Sequence, residues 1–528
     1  MTAIPDVTDA EGIQFPLDQT QKRGSSSVAK AIIYRALFQV DQPAAMEILQ
    51  EKNWRKHYPH YFHALVAAGI QSPANAIQIA KTGLNEAWNQ FEFVREGKTY
   101  SLADAIETFN QPALQTLVYQ GEGNAEIQAW HVPYKGQNLQ GKQLSEQLLR
   151  WEQAGVIEPS NRIALQRLID HPEWFDLSDR TLVLCGAGSE AGPLRWLSRW
   201  KANIVAIDIP NPNVWQKIVS TVKDGNARLL VPVSSKQSRD EPLLQLVQAG
   251  KIGCNLLTQT PEIVTWLSSM PVALDIAAIA YLDGEKHVRI SMALDAIMST
   301  VSQQKPDTSL MYMATPTDIF AIKPDTVGGA NQRYQQRSLL VRAGTRITHR
   351  LTRQQFFRQH MQQPVQADNG QQYGIADCLV IEQGPNYALA KRLQQWRAVL
   401  ARSQGQRVSL NVAPSTTTAS VVKNPLLKAA FAGAHLYEVE AFEPETTNAL
   451  MAALWVHDLR CQQSAANPDT KLANPLELIM ENANHGGLWR AAYLPRTVLP
   501  IAAVFGWAKL KAAEVKTVVT KQLERLKP

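Results

Sequence analysis

The stretch "GPNYALAKRL" places a phenol, Tyr387, and an amine, Lys391, four residues apart on one face of an expected helix. A free phenol loses its proton at about pH 10, so it needs help to exchange one near neutrality. A cation one helical turn away favours the phenolate and would give that help. The same spacing also fits an aromatic and a cation decorating an ordinary surface helix.

A second chemical group lies upstream, in "TLVLCGAGSEAGPLRWLSRWKANIVAIDIP". It reads as a short apolar strand, a glycine turn, an amphipathic helix, and a second strand that ends at Asp208. Gly186, Gly188 and Gly192, with Ser189 among them, would let a pyrophosphate approach backbone N–H groups at a helix N-terminus. Asp208 stands where an acid accepts hydrogen bonds from an adenosine ribose and repels a 2′-phosphate, which favours NAD(H) over NADP(H). An S-adenosylmethionine site uses a similar loop and acid, and a tight turn without a ligand is the plain structural reading.

The elements that must position these groups follow in order. "ARLLVPVS", "VALDIAAIAY", "TSLMYMAT" and "RVSLNVAP" read as strands, with helical patterns between most of them. This alternation predicts an α/β fold with a doubly wound, Rossmann-like parallel sheet. A phosphate turn, then a Y-x-x-x-K helix, then a strand running into "NVAPSTTTASV" resembles the short-chain dehydrogenase/reductase family in its extended sense. "CGAGSEAG" stands at the family's T-G-x-x-x-G-x-G, with Cys185 for threonine and Glu190 for the middle glycine. "APSTTT" stands at its P-G motif, with Ser415 for glycine. The likeness covers about Thr181 to Val422.

The resemblance implies hydride transfer between a nicotinamide and a substrate carbon. Tyr387 would be the acid/base, Lys391 would tune it and hold the nicotinamide ribose, and Ser415 would lie against the cofactor. The family's serine is missing from "DCLVIEQGPNY". Thr315, or else Thr317, of "LMYMATPTD" takes its place as the group polarising the substrate oxygen, with a long insertion before Tyr387. A helix-capping T-P-T-D turn is the other reading of those residues. "AIAYLDG" replaces the family's N-N-A-G, and "EKHVRISMALDAIM" offers His287, Ser291 and Asp295 where an asparagine is expected. These departures imply altered or lost activity.

Around this core, residues 1–26 read as a flexible tail and 27–150 as a mainly helical accessory domain interrupted by a strand-like "AEIQAWHVPY". Residues 151–180 read as a connecting helix and linker. The dinucleotide-binding domain spans 181–425 with a basic insertion at 326–376, and 426–528 form a helical C-terminal region. Between Thr326 and Ala367 stand Arg333, Arg337, Arg342, Arg346, Arg350, Arg353 and Arg358, and no acid. Such a segment is a solvated flap or captures an anion: a CoA or carrier-linked phosphopantetheine, a phospholipid headgroup or an acidic partner. Arg342 and Arg346 are the substrate candidates there. By the resemblance, the apolar C-terminal segment around "NANHGGLWRAAYLPRTVLP" is a substrate lid, with His485 a candidate for orienting the substrate.

Composition excludes little: 528 residues, 45% hydrophobic, 19% charged, formal charge +6. That charge is too mild and dispersed to argue for nucleic acid. Four scattered cysteines show no metal-ligand spacing and point to a reducing, cytoplasmic compartment. No apolar run is long enough for a membrane span, although "LPIAAVFGWA" could touch a membrane surface. Oligomeric state is left open. The expected activity is an NAD(H)-dependent oxidoreductase interconverting an alcohol and a ketone or aldehyde on a bulky or lipophilic, in some cases anionic, small molecule. The rivals are an S-adenosylmethionine-dependent methyltransferase and a catalytically degenerate nucleotide-binding scaffold.

Overall fold

The computed structural model describes residues 10–237, 241–360, 363–418 and 423–525, with side chains in the last helix to 512. Seven strands form one central sheet: β1 Leu114–Gln120, β2 Thr181–Cys185, β3 Asn203–Ile207, β4 Arg228–Ser234, β5 Asp275–Ala278, β6 Ser309–Ala314 and β7 Val408–Val412. Their order across it is β7-β6-β5-β2-β3-β4-β1. Neighbours from β2 to β7 are parallel, and β1 closes one edge antiparallel to β4, from Leu114↔Ser234 to Gln120↔Arg228. The protein is therefore α/β with a mostly parallel sheet, compatible with a Rossmann-like fold. The chain winds outward from β2 in one direction and from β5 in the other. Such a reversal leaves a crevice at the carboxyl ends of the strands.

Strand alternation assigns the two faces. In β2, Val183 and Cys185 enter one apolar core while Leu182 and Leu184 enter the other, and all four are fully buried. The helices used below are α1 Ser25–Phe38, α2 Trp54–Gln71, α3 Pro73–Gln90, α4 Glu285–Gln304, α5 Pro324–Gln336, α6 Leu339–Leu351, α7 Gly384–Ser403, α8 Pro425–Gly433, α9 Pro444–Arg460 and α10 Pro495–Arg525. Helices α4 and α7 share the core on the first face, together with residues of α1 to α3. Helix α9 and the helices Gly141–Gln153, Pro159–Asp170 and Pro212–Lys223 share the core on the second.

The N-terminal third departs from expectation. It shares the core of the sheet rather than forming a core of its own. Trp88 Nε1 on α3 donates to Asp295 Oδ2 on α4 at 2.6 Å, and Gly83 lies flush against the Trp396 ring of α7. The same third supplies the edge strand β1. The segment read as a tail is not free either: Gly12–Gln14 pairs antiparallel with Glu92–Arg95, and Ile13 and Phe15 are 1% exposed. Residues 1–9 lie outside the described residues. "AEIQAWHVPY" yields only the short strand Val132–Tyr134. The insertion begins earlier than expected, because Ile319–Ile322 pairs antiparallel with Gln372–Asp377 and α5 and α6 lie between them. The T-P-T-D turn thus leads into a strand and caps no helix. Among the described residues no helix is long and apolar enough to cross a membrane.

Gly83→Val would drive a branched side chain into Trp396. We expect a loss of about 1–3 kcal/mol in urea unfolding, within a single transition that includes the sheet. A separable helical domain would instead melt on its own and leave the sheet transition unmoved.

Candidate functional site

The carboxyl ends of β2, β3, β5, β6 and β7 open into one cleft of about 1380 Å³. Gly186, Gly188, Ser189, Asp208, Thr315, Tyr387, Lys391 and Ser415 all line it. Residues spread over 230 positions of sequence thus meet where the topology predicts a ligand crevice.

At the switch point, Gly186 has φ +98°, and a Cβ there would come within 2.6 Å of Ala280 Cα beside β5. Only glycine allows that backbone to pass. Its N–H and that of Ala187 donate to the Ile207 carbonyl at 2.8 and 3.1 Å. Gly188 N–H donates to Asp208 Oδ2 at 2.8 Å, Ser189 N–H to the Gly186 carbonyl at 3.1 Å, and Gly192 N–H to the Ser189 carbonyl at 3.0 Å. The expected amphipathic helix is a single turn, Leu194–Leu197. Both points correct the sequence reading. The amides assigned to a pyrophosphate are bonded within the protein, and one turn supplies little helix dipole. Gly192 does not line the cleft; it packs beneath Ser189 and Ile279.

Asp208 is half-buried and takes one backbone N–H on each oxygen, from Gly188 and from Ile209 at 2.9 Å. A carboxylate retains further lone pairs for ligand hydroxyls. Burial raises its pKa, and the two amides oppose that rise.

The other end of the cleft holds the reactive groups. Thr315 follows directly on β6, and its hydroxyl acts on the Tyr387 phenol, whose proton affinity it lowers. It lies 2.9 Å from Thr317 Oγ1, which donates to Gln383 Oε1 at 2.7 Å. Tyr387 sits in the first turn of α7. Its ring stacks on His287 at 5.5 Å and meets the edge of Tyr281 at 6.2 Å. Burial pushes the phenol up to about 12, partly offset by the Thr315 hydroxyl. Lys391 Nζ donates to the Met313 carbonyl at 3.2 Å and to Gln394 Oε1 at 3.3 Å. Burial brings its amine down to about 8, and the Asp318 carboxylate opposes that shift. Desolvation, and not the Lys391 charge, therefore sets the proton affinity of Tyr387 here, contrary to the expected phenolate stabilisation.

His287 is 1% exposed, and neither ring nitrogen has a partner among the described residues. Burial and the Lys391 charge keep its pKa well below the usual value. Ser291 accepts from Gln394 Nε2 at 3.3 Å, which links α4 to the Lys391 side chain.

Three other candidates fall elsewhere. His485 is fully buried: Nδ1 accepts the Gly487 N–H at 3.1 Å and Nε2 bonds Glu158 Oε1 at 2.8 Å. Both nitrogens are used, so it clamps the fold and does not orient a substrate. Arg342 and Arg346 lie on α6 and do not line the cleft. Ser415 does, and its carbonyl accepts the Phe442 N–H at 2.8 Å. Residues 419–422 of the same loop lie outside the described residues.

Sequence reasoning gave no role to Tyr281, Asp318 or the segment Cys254–Gln259, which also borders the cleft. Tyr281 carried one signal, its place just past a strand's carboxyl end. Asp318 carried another, a lone acid before the apolar run "IFAI". It is 1% exposed and accepts from Arg392 Nη2 at 2.9 Å, Gln395 Nε2 at 2.7 Å and its neighbour Ile319 N–H at 2.7 Å. Among the described residues no group of three or more His, Cys, Asp or Glu side chains is placed to hold a metal ion. No protein family, curated protein or solved structure matches the chain.

Lys391 titrates near 8 when folded and near 10.5 when free. Between those values the unfolded chain binds the extra proton, so stability rises with pH across that window. Lys391→Met removes this dependence. In urea denaturation the variant should exceed the parent at pH 7, and the gap should close as pH climbs towards 10.5.

Proposed function

We propose that the chain is an NAD(H)-dependent oxidoreductase, similar to the short-chain dehydrogenase/reductase family, that interconverts an alcohol and a ketone or aldehyde. The observation that carries this reading is that Thr315, Tyr387 and Lys391 line the same cleft as Gly186 and Asp208, at the carboxyl ends of the strands. A dinucleotide fits the lining in part. Gly186 offers backbone without a side chain, Asp208 keeps lone pairs for ribose hydroxyls, and Ser415 lines the same cleft. The bonded loop amides add little for the pyrophosphate. Asp208 disfavours a 2′-phosphate, so NADP(H) is the less suited form.

The cofactor, when bound, would supply or accept the hydride. The chain's own part is positional and protonic. Tyr387, with its pKa near 12, holds its proton at neutral pH and offers it to a substrate oxygen on reduction. Thr315 would polarise the substrate oxygen. Leu427, Phe431, Val498 and Leu499, from α8 and α10, line the cleft with apolar surface, which suits a bulky or lipophilic small molecule. Four buried free thiols fit the reducing, cytoplasmic compartment we propose.

A second reading is S-adenosylmethionine-dependent methyl transfer. The one-turn helix and the bonded amides favour it, because that cofactor has no pyrophosphate to hold. It gives no role to Tyr387 and Lys391.

NADH fluorescence titration beside S-adenosylmethionine calorimetry separates the two. We expect NADH binding that Asp208→Ala weakens, and turnover on a carbonyl panel that Tyr387→Phe lowers by about 10²–10⁴-fold with binding retained. Binding of S-adenosylmethionine alone would transfer the assignment to methyl transfer. NADH binding with no turnover by the parent would leave a nucleotide-binding scaffold.

A further inference from the structure

Helix α6, "LLVRAGTRITHRL", is mounted with its polar side inward. Thr345 Oγ1 lies 3.0 Å from Tyr493 OH, Arg346 Nε donates to Tyr334 OH at 3.1 Å, and His349 Nδ1 lies 2.9 Å from the Phe356 carbonyl. The outward side is apolar: Leu339 is 74% exposed, Leu340 86%, Ile347 58% and Leu351 80%. No residue of the helix is buried. A soluble surface helix has the opposite arrangement, so this face is built for a partner.

Charge decides which partner. Arg346 and Arg350 are exposed and fall on the helix beside the apolar stripe, and Arg353 follows in the next turn. The whole segment from Thr326 to Ala367 holds seven arginines and no acid. If two copies paired through α6, these arginines would meet their own kind with no acid in the segment to offset them. An anionic bilayer suits both parts at once, with leucines entering the acyl boundary and guanidinium forks engaging lipid phosphates. Helix α10 carries a second exposed apolar group, Val504, Phe505 and Trp507, the last of a type enriched at membrane interfaces. The site is adjacent as well. Tyr493, which contacts α6 through Thr345, lines the cleft beside Val498 and Leu499.

We propose that α6 is an interfacial anchor that docks the protein on anionic lipid bilayers and sets the apolar end of the cleft against the membrane surface. The helix enters the interface and does not span it. This inference does not rest on the oxidoreductase reading, since bilayer binding and cofactor binding are separate readouts.

The test is flotation of the full chain with phosphatidylcholine–phosphatidylglycerol vesicles and with pure phosphatidylcholine vesicles. We expect co-flotation with the anionic vesicles only, weakened by salt. The double substitution Leu340→Glu and Leu351→Glu should abolish it, while thermal unfolding stays unchanged because neither side chain is buried. Arg346→Ala with Arg350→Ala should lower the partition on the order of tenfold. Absence of flotation with anionic vesicles would overturn the proposal, as would flotation insensitive to the Leu340 and Leu351 substitutions. So would light scattering that shows a dimer broken by those two substitutions, which would make the face an interface between copies.

Discussion

The buried ion pair between Asp318 and Arg392 is the constraint on which the reactive corner depends. Asp318 stands three residues past Thr315, and Arg392 stands five past Tyr387. Their 2.9 Å contact, reinforced by Gln395, ties the loop after β6 to the middle of α7. Neither side chain can leave without stranding the other charge in a region without water, which is what makes such a pair a rigid fixture. The placing of Thr315 and Tyr387 together at the cleft follows from this tie. A chain with the same threonine and tyrosine but no such tie would let the two hydroxyls move independently.

That rigidity coexists with an unsettled charge state. Burial acts on Tyr387 and Lys391 in opposite senses, favouring the neutral form of each. At neutral pH the corner therefore holds a neutral phenol beside an amine that, near 8, still keeps most of its charge. An anionic ligand in the cleft would raise the Lys391 amine towards its ordinary value and extend its charge to higher pH.

The insertion between β6 and α7 gives the architecture its individuality. Its strands Ile319–Ile322 and Gln372–Asp377 pair and close the neck, so α5 and α6 are displayed as a unit on a short stem. Arg333 and Arg337 are spent on Glu438 and fix that unit against the segment after α8. The remaining arginines of α6 face outward beside exposed leucines. The buried His485–Glu158–Arg490 cluster ties the segment around His485 to the start of the helix Pro159–Asp170. The imidazole and guanidinium bring Glu158 down to about 2 although burial opposes it, so this carboxylate stays ionised across the physiological range, whereas burial lowers the His485 imidazole.

The sequence alone determined the parallel strands and the convergence of the site. β2 to β7 are short apolar runs between turns, and burial on both faces leaves that signature in any local window. Gly186, Asp208, Thr315, Tyr387 and Ser415 each sit at or just past a strand end or at a helix start, with Lys391 one turn after Tyr387, and strand order brings such positions to one edge. Only the tertiary structure decided the rest. Leu114–Gln120 becomes an edge strand because β4, more than a hundred residues later, offers it unpaired hydrogen bonds. Residues 25–90 become a backing layer because Gly83 lets α3 approach Trp396. The glycine loop closes on itself because Asp208 and Ile207 reach its amides. Helix α6 lays Thr345 and the Nε of Arg346 against the fold because Tyr493 and Tyr334 stand there to bond them. Each of these outcomes depends on partners remote in sequence, and a local pattern of residues holds no information about which distant group will satisfy it.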